Sequence, residues 1–315
     1  MRKLLLQLDS SPHPSVFDRV VAFDGGADEV MSYGGVTETT VRDLVHGAIF
    51  TRGPKDLRHT AIFIGGTDMA AGERLLAAVR KAFFGPLRVS VMLDSNGSNT
   101  TAVAAVAKLR QAAGPGSAGD AGTVGAVGAV GAVGAVGNVE RRRAVITAGT
   151  GPVGLRAAGL LAQAGADVVI TSRRAADPKV VDAIGRRFGG TVRAIAMPDG
   201  SHAAEVLGRD GGAELLLNAG PAGVCLIPHA SWAGRAGLRA VADLNAVPPL
   251  GVEGIEVHDD GVEREGVTAF GALGVGKLKM KIHKACIARL FEQNDLVLDA
   301  ETIAAVAREI APATN

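Results

Sequence analysis

Cysteine and aromatic side chains are scarce in this chain, and the shortage of cysteine excludes two kinds of architecture. The 315 residues include only two cysteines, Cys225 and Cys286, which lie far apart in sequence. Neither belongs to a Cys-x-x-Cys pair or a Cys/His cluster. A disulfide framework and a structural zinc site are therefore not expected, and no metal ion is predicted.

Long apolar runs and an excess of one charge are also missing. No stretch approaches the roughly 20 uninterrupted apolar residues of a membrane helix. The apolar run 4–8 follows Met1-Arg2-Lys3 but is short and meets Asp9, so we predict a first strand there rather than a signal peptide. The formal net charge of +1 argues against a nucleic-acid-binding surface. These features predict a soluble, cytoplasmic protein with no membrane or nucleic-acid partner.

A low-complexity segment divides the chain. Residues 114–138 are rich in glycine, and Gly-Ala-Val is repeated four times from Gly125 to Val136. Such small side chains cannot bury enough surface to offset the entropy lost on ordering. A flexible linker is therefore predicted over 114–138, with a self-associating strip as the alternative.

Strand and helix signals alternate on both sides of this linker, which predicts an α/β protein with largely parallel sheets. Residues 1–113 would form an N-terminal α/β substrate domain, and residues 139–275 a Rossmann-type doubly wound domain. Residues 276–315 would form helices that pack back on the N-terminal domain. The predicted strands are 4–8, 48–51, 61–65, 89–93, 144–147, 167–171, 192–196, 215–218 and 240–243; the main predicted helices are 15–22, 69–84, 101–110, 152–164, 279–292 and 299–310.

A glycine loop between a strand and a helix carries the first chemical signal. Its first glycine permits a tight turn, its second leaves room for a pyrophosphate, and its third lets the helix pack closely on the strand. The helix N-terminus adds amide donors and a positive dipole end. This setting predicts a dinucleotide site, with an ordinary glycine-rich turn as the alternative. The loop is Gly149, Thr150, Gly151, Pro152, Val153 and Gly154.

The end of the second strand of this region indicates which dinucleotide is bound. It carries Ser172, Arg173 and Arg174 where an NAD site usually has a carboxylate. A hydroxyl and guanidinium groups would hold a 2′-phosphate that a carboxylate would repel, so NADP is predicted. Later strand ends are expected to approach the nicotinamide: Asn218, Ala219, Gly220, Asp243 and Asn245. Asn245 could equally be a turn residue.

The usual proton-transfer groups of dehydrogenases are not apparent. The sole tyrosine, Tyr33, precedes the glycine loop, which excludes the Tyr-xxx-Lys pair of short-chain dehydrogenases. His229 and His283 are interpreted as structural or surface residues. Oxidising an alcohol needs a base, whereas oxidising a carbon flanked by two nitrogens does not, because the nitrogen lone pairs stabilise the product cation. The absence of the usual proton-transfer groups therefore favours oxidation of a carbon flanked by two nitrogens.

Several runs resemble the NADP-dependent methylene-tetrahydromethanopterin dehydrogenases of methylotrophic bacteria, a family that also accepts methylene-tetrahydrofolate. The resemblance covers nearly the whole chain except the Gly-Ala-Val repeats, and its most specific run is Asp-Ser-Asn-Gly-Ser-Asn-Thr-Thr at 94–101. It implies hydride transfer from the pterin's methylene bridge to NADP⁺ in one-carbon metabolism, by a homo-oligomer such as a trimer. The matching runs are 14–18, 24–28, 65–74, 83–86, 92–101, 148–154, 241–246, 248–251 and 269–274.

The polar run 94–101 ends a predicted strand and opens a predicted helix, where ligands gather in parallel sheets. Its alternative role is an N-cap supplied by Ser98 or Asn99. Asp18, Asp24 and Asp94 are candidates to offset the product cation's charge, and Asp94 is assigned to the catalytic site. The predicted pterin-binding residues are Phe17, Asp18, Ser95, Asn96, Ser98, Asn99 and Thr100.

Lys279 follows a glycine-rich segment at 271–276, and the resemblance points to it as the active-site lysine that orients the pterin. Lys277 and Lys281 are expected to extend into solvent. Two alternatives stay open: a reductase like shikimate dehydrogenase, which would need a lysine–aspartate pair as proton donor, and a non-catalytic NADP sensor.

Overall fold

A computed structural model describes residues 1–114, 137–174 and 176–310. The predicted linker at 114–138 lies almost wholly outside the described residues. The chain forms two units, one made of Met1–Thr100 with Lys279–Ile310, the other of Thr101–Leu278. The predicted boundaries at 113, 138 and 275 stay predictions.

Twelve strands and ten α-helices occur in the described residues. The strands are β1 Leu4–Asp9, β2 Glu29–Tyr33, β3 Thr60–Gly65, β4 Ser90–Leu93, β5 Arg143–Thr147, β6 Asp167–Ser172, β7 Val192–Ala196, β8 Leu215–Asn218, β9 Ala240–Asp243, β10 Asp260–Arg264, β11 Val267–Phe270 and β12 Val297–Leu298. The helices are α1 Val16–Asp24, α2 Val41–Ile49, α3 Met69–Ala82, α4 Ser98–Ala113, α5 Pro152–Gln163, α6 Pro178–Phe188, α7 Ala203–Gly208, α8 His229–Trp232, α9 Ala272–Arg289 and α10 Ala300–Ile310.

The first unit contains a five-stranded parallel sheet in the order β2-β1-β3-β4-β12. Its central strands are apolar on both faces, as parallel strands covered by helices must be. All six residues of β3 are buried. In this doubly wound order the direction of winding reverses between β1 and β3, and ligands bind where the strands on either side of such a reversal end. The carboxyl ends of β1 and β3 are Asp9 and Gly65.

The second unit contains a seven-stranded sheet in the order β7-β6-β5-β8-β9-β11-β10. All neighbouring strands are parallel except the terminal pair, β10 and β11, which is antiparallel. Counted from β5, the first five positions give the order 3-2-1-4-5 of the Rossmann fold, and β11 takes the place of its sixth parallel strand. The predicted α/β class and the Rossmann-type arrangement are confirmed.

Two sequence predictions about local structure are wrong. Residues 48–51 do not form a strand, because Val41, Val45 and Ile49 bury one face of α2 at helical spacing. The helix predicted to begin at 279 already begins at Ala272 and so contains most of the glycine-rich segment 271–276. A Cβ atom on Gly274 would lie 2.0 Å from the carbonyl oxygen of Asp259. Glycine at position 274 therefore allows close backbone packing.

Among the described residues, no helix is long and apolar enough to cross a membrane. In the same part of the chain, no group of three or more His, Cys, Asp or Glu side chains is arranged to hold a metal ion. Cys225 and Cys286 are both free thiols.

Candidate functional site

Asp94, the residue after β4, organises the start of α4. Its Oδ1 accepts hydrogen bonds from the backbone N–H groups of Asn99 and Thr100, both at 2.9 Å, and its Oδ2 accepts one from Thr100 Oγ1 at 2.6 Å. A 3₁₀ turn at Ser95–Gly97 brings the carboxylate back over the helix, with Asn96 in the left-handed region at φ 56°. The alternative that Ser98 or Asn99 caps this helix is wrong, because Asp94 does so from further upstream.

Most of the other side chains in the predicted pterin-binding run form hydrogen bonds within the protein. Ser95 Oγ donates to Gly65 O at 2.8 Å, and Asn99 Nδ2 donates to Leu93 O at 2.5 Å. Ser95, Ser98, Asn99 and Thr100 are buried, whereas Asn96 is exposed. Ser98 Oγ is buried with no hydrogen-bond partner among the described residues. The run therefore holds the ends of β3 and β4 to α4, and Asn96 is its member open to a ligand.

Lys279 on α9 is nearly buried, with 9% of its surface exposed. Its Nζ lies 4.3 Å from the centre of the Phe17 ring, a cation–π contact with α1. Burial lowers the pKa of Lys279, and the negative charges of Asp94 and Asp18 oppose that shift. The structure thus brings together four residues that the sequence proposed separately.

The two carboxyl groups that balance Lys279 have altered affinities for protons. Burial raises the pKa of Asp94 to about 6, while Thr100 and Lys279 counteract the shift. Burial also raises the pKa of Asp18, against the lowering effects of Ser15 and Lys279. The lysine and the two carboxyl groups therefore form one buried cluster, in which burial opposes ionisation of all three groups.

This cluster is a pairing that the sequence did not show. The sequence separates Lys279 from Asp94 by most of its length, so no local motif could reveal the pair. Asp24, the third carboxylate considered, is engaged elsewhere, in an ion pair of 2.7 Å with Lys284. Lys277 and Lys281 are exposed, as expected.

Two further residues of this region were missed or left undecided by the sequence. Asp9, at the end of β1, accepts hydrogen bonds from the backbone N–H groups of Ser11 and Ser15 and so shapes the loop before α1. His283 is fully buried beside Lys279 and is not a surface residue. Only the apolar neighbours Ile282 and Cys286 hinted at burial, and helical spacing alone does not identify its partner.

The glycine loop of the second unit lies between β5 and α5. A Cβ atom on Gly149 would come within 2.6 Å of Ile170 Cβ, and one on Gly154 within 2.6 Å of Gly149 Cα. One on Gly151 would meet nothing closer than Ala148 O at 3.5 Å. The first and third glycines therefore serve packing, whereas the second borders open space.

The N-terminus of α5 suits an anion. Gly151 is its N-cap residue and has no side chain to cap the helix. Pro152 occupies the first turn, where its missing N–H costs little. The N–H groups of Val153 and Gly154 fall in the turn where no intrahelical acceptor exists. These donors and the room at Gly151 fit a dinucleotide pyrophosphate, with Thr150 half-buried in the loop.

The segment after β6 presents two cationic side chains. Arg173 and Arg174 are exposed, and neither forms an ion pair with a residue that the structure describes. Ser172 Oγ donates to Arg174 O at 2.5 Å, which fixes the bend between them. The guanidinium groups are therefore available to an anionic ligand.

A buried polar chain joins the later strand ends of this sheet. Thr147 Oγ1 donates to Asn218 Oδ1 at 2.6 Å, and Asn218 Nδ2 donates to Asp243 Oδ1 at 2.7 Å. Asn245 Oδ1 accepts from Val247 N at 2.9 Å, as in a turn. Asn218, Asp243 and Asn245 thus have structural partners, and the N–H groups of the half-buried Ala219 and Gly220 donate to Thr147 O and Asn218 Oδ1, both at 3.2 Å.

The fold and its glycine loop define a two-unit α/β protein with a Rossmann-type unit. A family model described as "Methylene-tetrahydromethanopterin dehydrogenase, N-terminal" matches residues 16–96. The "Bifunctional protein MdtA" of Methylorubrum extorquens is 48% identical over 311 residues, 98% of this chain and 99% of that protein. The "NAD(P)-dependent methylenetetrahydromethanopterin dehydrogenase" of the same organism is 31% identical over 318 residues, again 98% and 99%.

The chain therefore belongs to the methylene-tetrahydromethanopterin dehydrogenase family, as the sequence resemblance indicated. Likeness to solved structures is low. The D-mandelate dehydrogenase of Rhodotorula graminis, for example, has a TM-score of 0.35 and 12% identity over 90% of this chain and 91% of its own. The family assignment rests on the sequence relatives.

The contrast between glycines gives a paired test. Gly151→Ala should fold normally but raise the dissociation constant of NADP⁺ at least about tenfold, about 1.4 kcal/mol, because its methyl group would occupy the room for the pyrophosphate. Gly154→Ala should instead lower the free energy of unfolding by about 1–3 kcal/mol, because its methyl group would overlap Gly149. Isothermal titration and thermal unfolding measure the two effects. Unchanged NADP⁺ affinity in Gly151→Ala would contradict the site.

The raised pKa of Asp94 predicts how stability depends on pH. A folded-state pKa of about 6, against an ordinary 3.8, means that the stabilising contribution is complete below pH 3.8 and is lost as pH rises through 6. Asp94→Asn does not titrate and keeps an acceptor for the two amides. Relative to wild type it should gain about 2 kcal/mol between pH 4 and 7, out of about 3 kcal/mol over the whole transition. Urea unfolding at several pH values measures this difference, and a constant difference would refute the shift.

Proposed function

We propose that this protein transfers a hydride from methylene-tetrahydromethanopterin to NADP⁺, giving the methenyl pterin and NADPH. The observation that carries the proposal is the relationship over the full chain to a protein named for methylenetetrahydromethanopterin dehydrogenation with NAD(P). The open glycine loop and the exposed arginines of the second unit support it on the cofactor side. The buried cluster around Lys279 supports it on the pterin side.

NADP⁺, when bound, supplies the acceptor for the hydride. We assign the pyrophosphate to the N-terminus of α5, where Gly151 leaves room and the amides of Val153 and Gly154 donate. Arg173 and Arg174 would hold the 2′-phosphate through charge-assisted hydrogen bonds. Ala219 and Gly220, whose N–H groups are engaged within the protein, would offer backbone carbonyl groups near the nicotinamide. The side chains of Asn218, Asp243 and Asn245 keep that backbone in place.

The pterin loses a hydride from a carbon between two nitrogens, so positive charge develops during the step. Asp94 and Asp18 would stabilise that charge, because carboxylates near a forming cation favour the transition state over the neutral substrate. A nearby ammonium opposes the cation, so Lys279 would contact the rim of the pterin and orient it. Phe17, half of whose surface is exposed, offers a ring face to the substrate. Ser95, Asn99 and Thr100 would act by holding Asn96 and the adjacent backbone, whereas the buried hydroxyl of Ser98 forms no hydrogen bond to a described residue.

Methylene-tetrahydrofolate is the second substrate that we propose, since it has the same carbon between two nitrogens. The reaction would serve one-carbon metabolism, including formaldehyde oxidation, in the cytoplasm of a methylotroph. We also propose a homo-oligomer, with a trimer as the first arrangement to test by light scattering.

A second candidate function is favoured by the contact between opposite charges at Lys279. A lysine of lowered pKa beside Asp94 could donate a proton to a carbonyl oxygen, as a reductase like shikimate dehydrogenase requires. The relatives do not carry that name, which is why we place this reaction second.

One assay separates the candidates. Purified protein is mixed with NADP⁺ and either methylene pterin, and NADPH absorbance is followed; in parallel it is mixed with NADPH and ketone or enone acids. The proposal expects NADPH only in the first mixtures. Turnover of the ketones alone would select the reductase. Binding of NADP⁺ without any turnover, on folded protein, would select the sensor.

Lys279→Met should lower kcat/KM for the pterin at least about 100-fold, because a substrate misplaced by about 1 Å can lose that much rate. The matched control is Lys281→Met, two residues along the same helix but exposed, which should change kcat/KM less than twofold, about 0.4 kcal/mol. Equal losses in both variants would show that Lys279 has no special role.

Arg173→Asp should raise the KM for NADP⁺ by about 10- to 100-fold, the range expected for a lost hydrogen bond to a charged group. The KM for NAD⁺, which has no 2′-phosphate, should stay within about threefold. Steady-state kinetics with both dinucleotides gives the ratio. A parallel rise for both would mean that the phosphate binds elsewhere.

A further inference from the structure

His283 lies one helical turn after Lys279 on α9 and is fully buried. Its ring stacks on Phe63 of β3, with centroids 5.4 Å apart and planes 20° from parallel. Its Nδ1 lies 3.4 Å from Lys279 Nζ. The stack fixes the plane of the imidazole, and the plane fixes the direction in which Nδ1 faces the ammonium.

The chemistry of the two groups determines the proton positions. An ammonium can only donate, so Nδ1 must accept and the ring proton must be on Nε2. Nε2 is itself buried and has no hydrogen-bond partner among the described residues. Burial, with the charge of Lys279, lowers the pKa of His283 to about 3, so the ring is neutral at physiological pH.

The other groups around Lys279 explain why a neutral hydrogen-bond acceptor is useful at this position. Phe17 covers the ammonium on the α1 side, and the charged groups facing it are Asp18 from α1 and Asp94 from the end of β4. On α9 itself, the buried Cys286 thiol is neutral, since burial raises its pKa to about 12. A neutral acceptor at position 283 orients one N–H bond of Lys279 without adding a third negative charge.

We propose that His283 is a positioning residue for Lys279: its neutral Nδ1 takes one ammonium hydrogen and thereby directs the other two toward the pterin. The proposal rests on the proposed function for its catalytic consequence, but the hydrogen bond itself does not. Without this hydrogen bond the Lys279 ammonium group would turn toward Asp94 or Asp18 and would hold the substrate less well.

Two substitutions separate the acceptor from the packing. His283→Phe keeps the stack on Phe63 and removes the acceptor; His283→Asn loses the stack and keeps an oxygen in the place of Nδ1. We expect His283→Phe to lower kcat/KM for the pterin at least about tenfold, with KM for NADP⁺ within about twofold. His283→Asn should retain activity to within about threefold of wild type, because its side-chain oxygen still accepts from Lys279.

A structural role alone predicts the opposite order, with His283→Asn the more damaged variant, and that result would overturn the proposal. The pH dependence of Lys279 acetylation, read by mass spectrometry, adds a readout independent of turnover. Loss of the acceptor should lower the pKa of Lys279 in His283→Phe but not in His283→Asn. No difference between the variants would also overturn the proposal.

The native protein provides a test that needs no variant to fold. Nitrogen-15 NMR of histidine-labelled protein should show His283 with an unprotonated Nδ1 and a protonated Nε2, unchanged from pH 5 to 9. A proton on Nδ1, or a titration within that range, would refute the hydrogen bond. If this signature is present but no pterin is turned over, the proposed function fails while the pairing of His283 with Lys279 stands.

Discussion

The carboxylate of Asp94 is buried, and most of the candidate pterin site depends on how its charge is compensated. Three hydrogen bonds from Asn99 and Thr100 tie it to the start of α4, and Lys279 lowers its cost of ionisation. An uncompensated charge in such a place would be expelled or protonated. The compensation draws α4 and α9 to the end of β4, which is where the site forms. The burial that makes this compensation necessary also raises the pKa of the Asp94 carboxyl group.

The second unit uses a related device for a different purpose. Asp243 is also buried at a strand end, where it accepts hydrogen bonds from Asn218, from the backbone of Asn245 and from Val252 N at 3.0 Å. Here the partners are amides rather than an ammonium. Gly251 is needed because a Cβ atom there would lie 1.7 Å from Asn218 Nδ2. A carboxylate satisfied by amides is a fixed structural support, whereas one that faces a lysine can take part in proton or cation chemistry.

Sequence patterns predicted much of the fold because its central strands are short apolar runs, as buried parallel strands are. Strands β5 to β9 were found to within a residue or two, and Ser15 does cap α1. Failures occurred where the pattern was ambiguous. Ala48 and Ile49 of the predicted strand 48–51 end α2 and lie on its buried face, and the helix predicted from 279 already begins at Ala272 and so includes Gly274.

The sequence by itself determined the class of fold, the glycine loop, the arginines after β6 and the family, because each of these is written in neighbouring residues. Only the tertiary structure decided which polar residues act together. Asp94 and Lys279 are 185 positions apart, and the contact of His283 with Lys279 became meaningful only with both buried. Charge compensation inside a protein depends on distance and burial in three dimensions, and neither quantity can be read from local sequence.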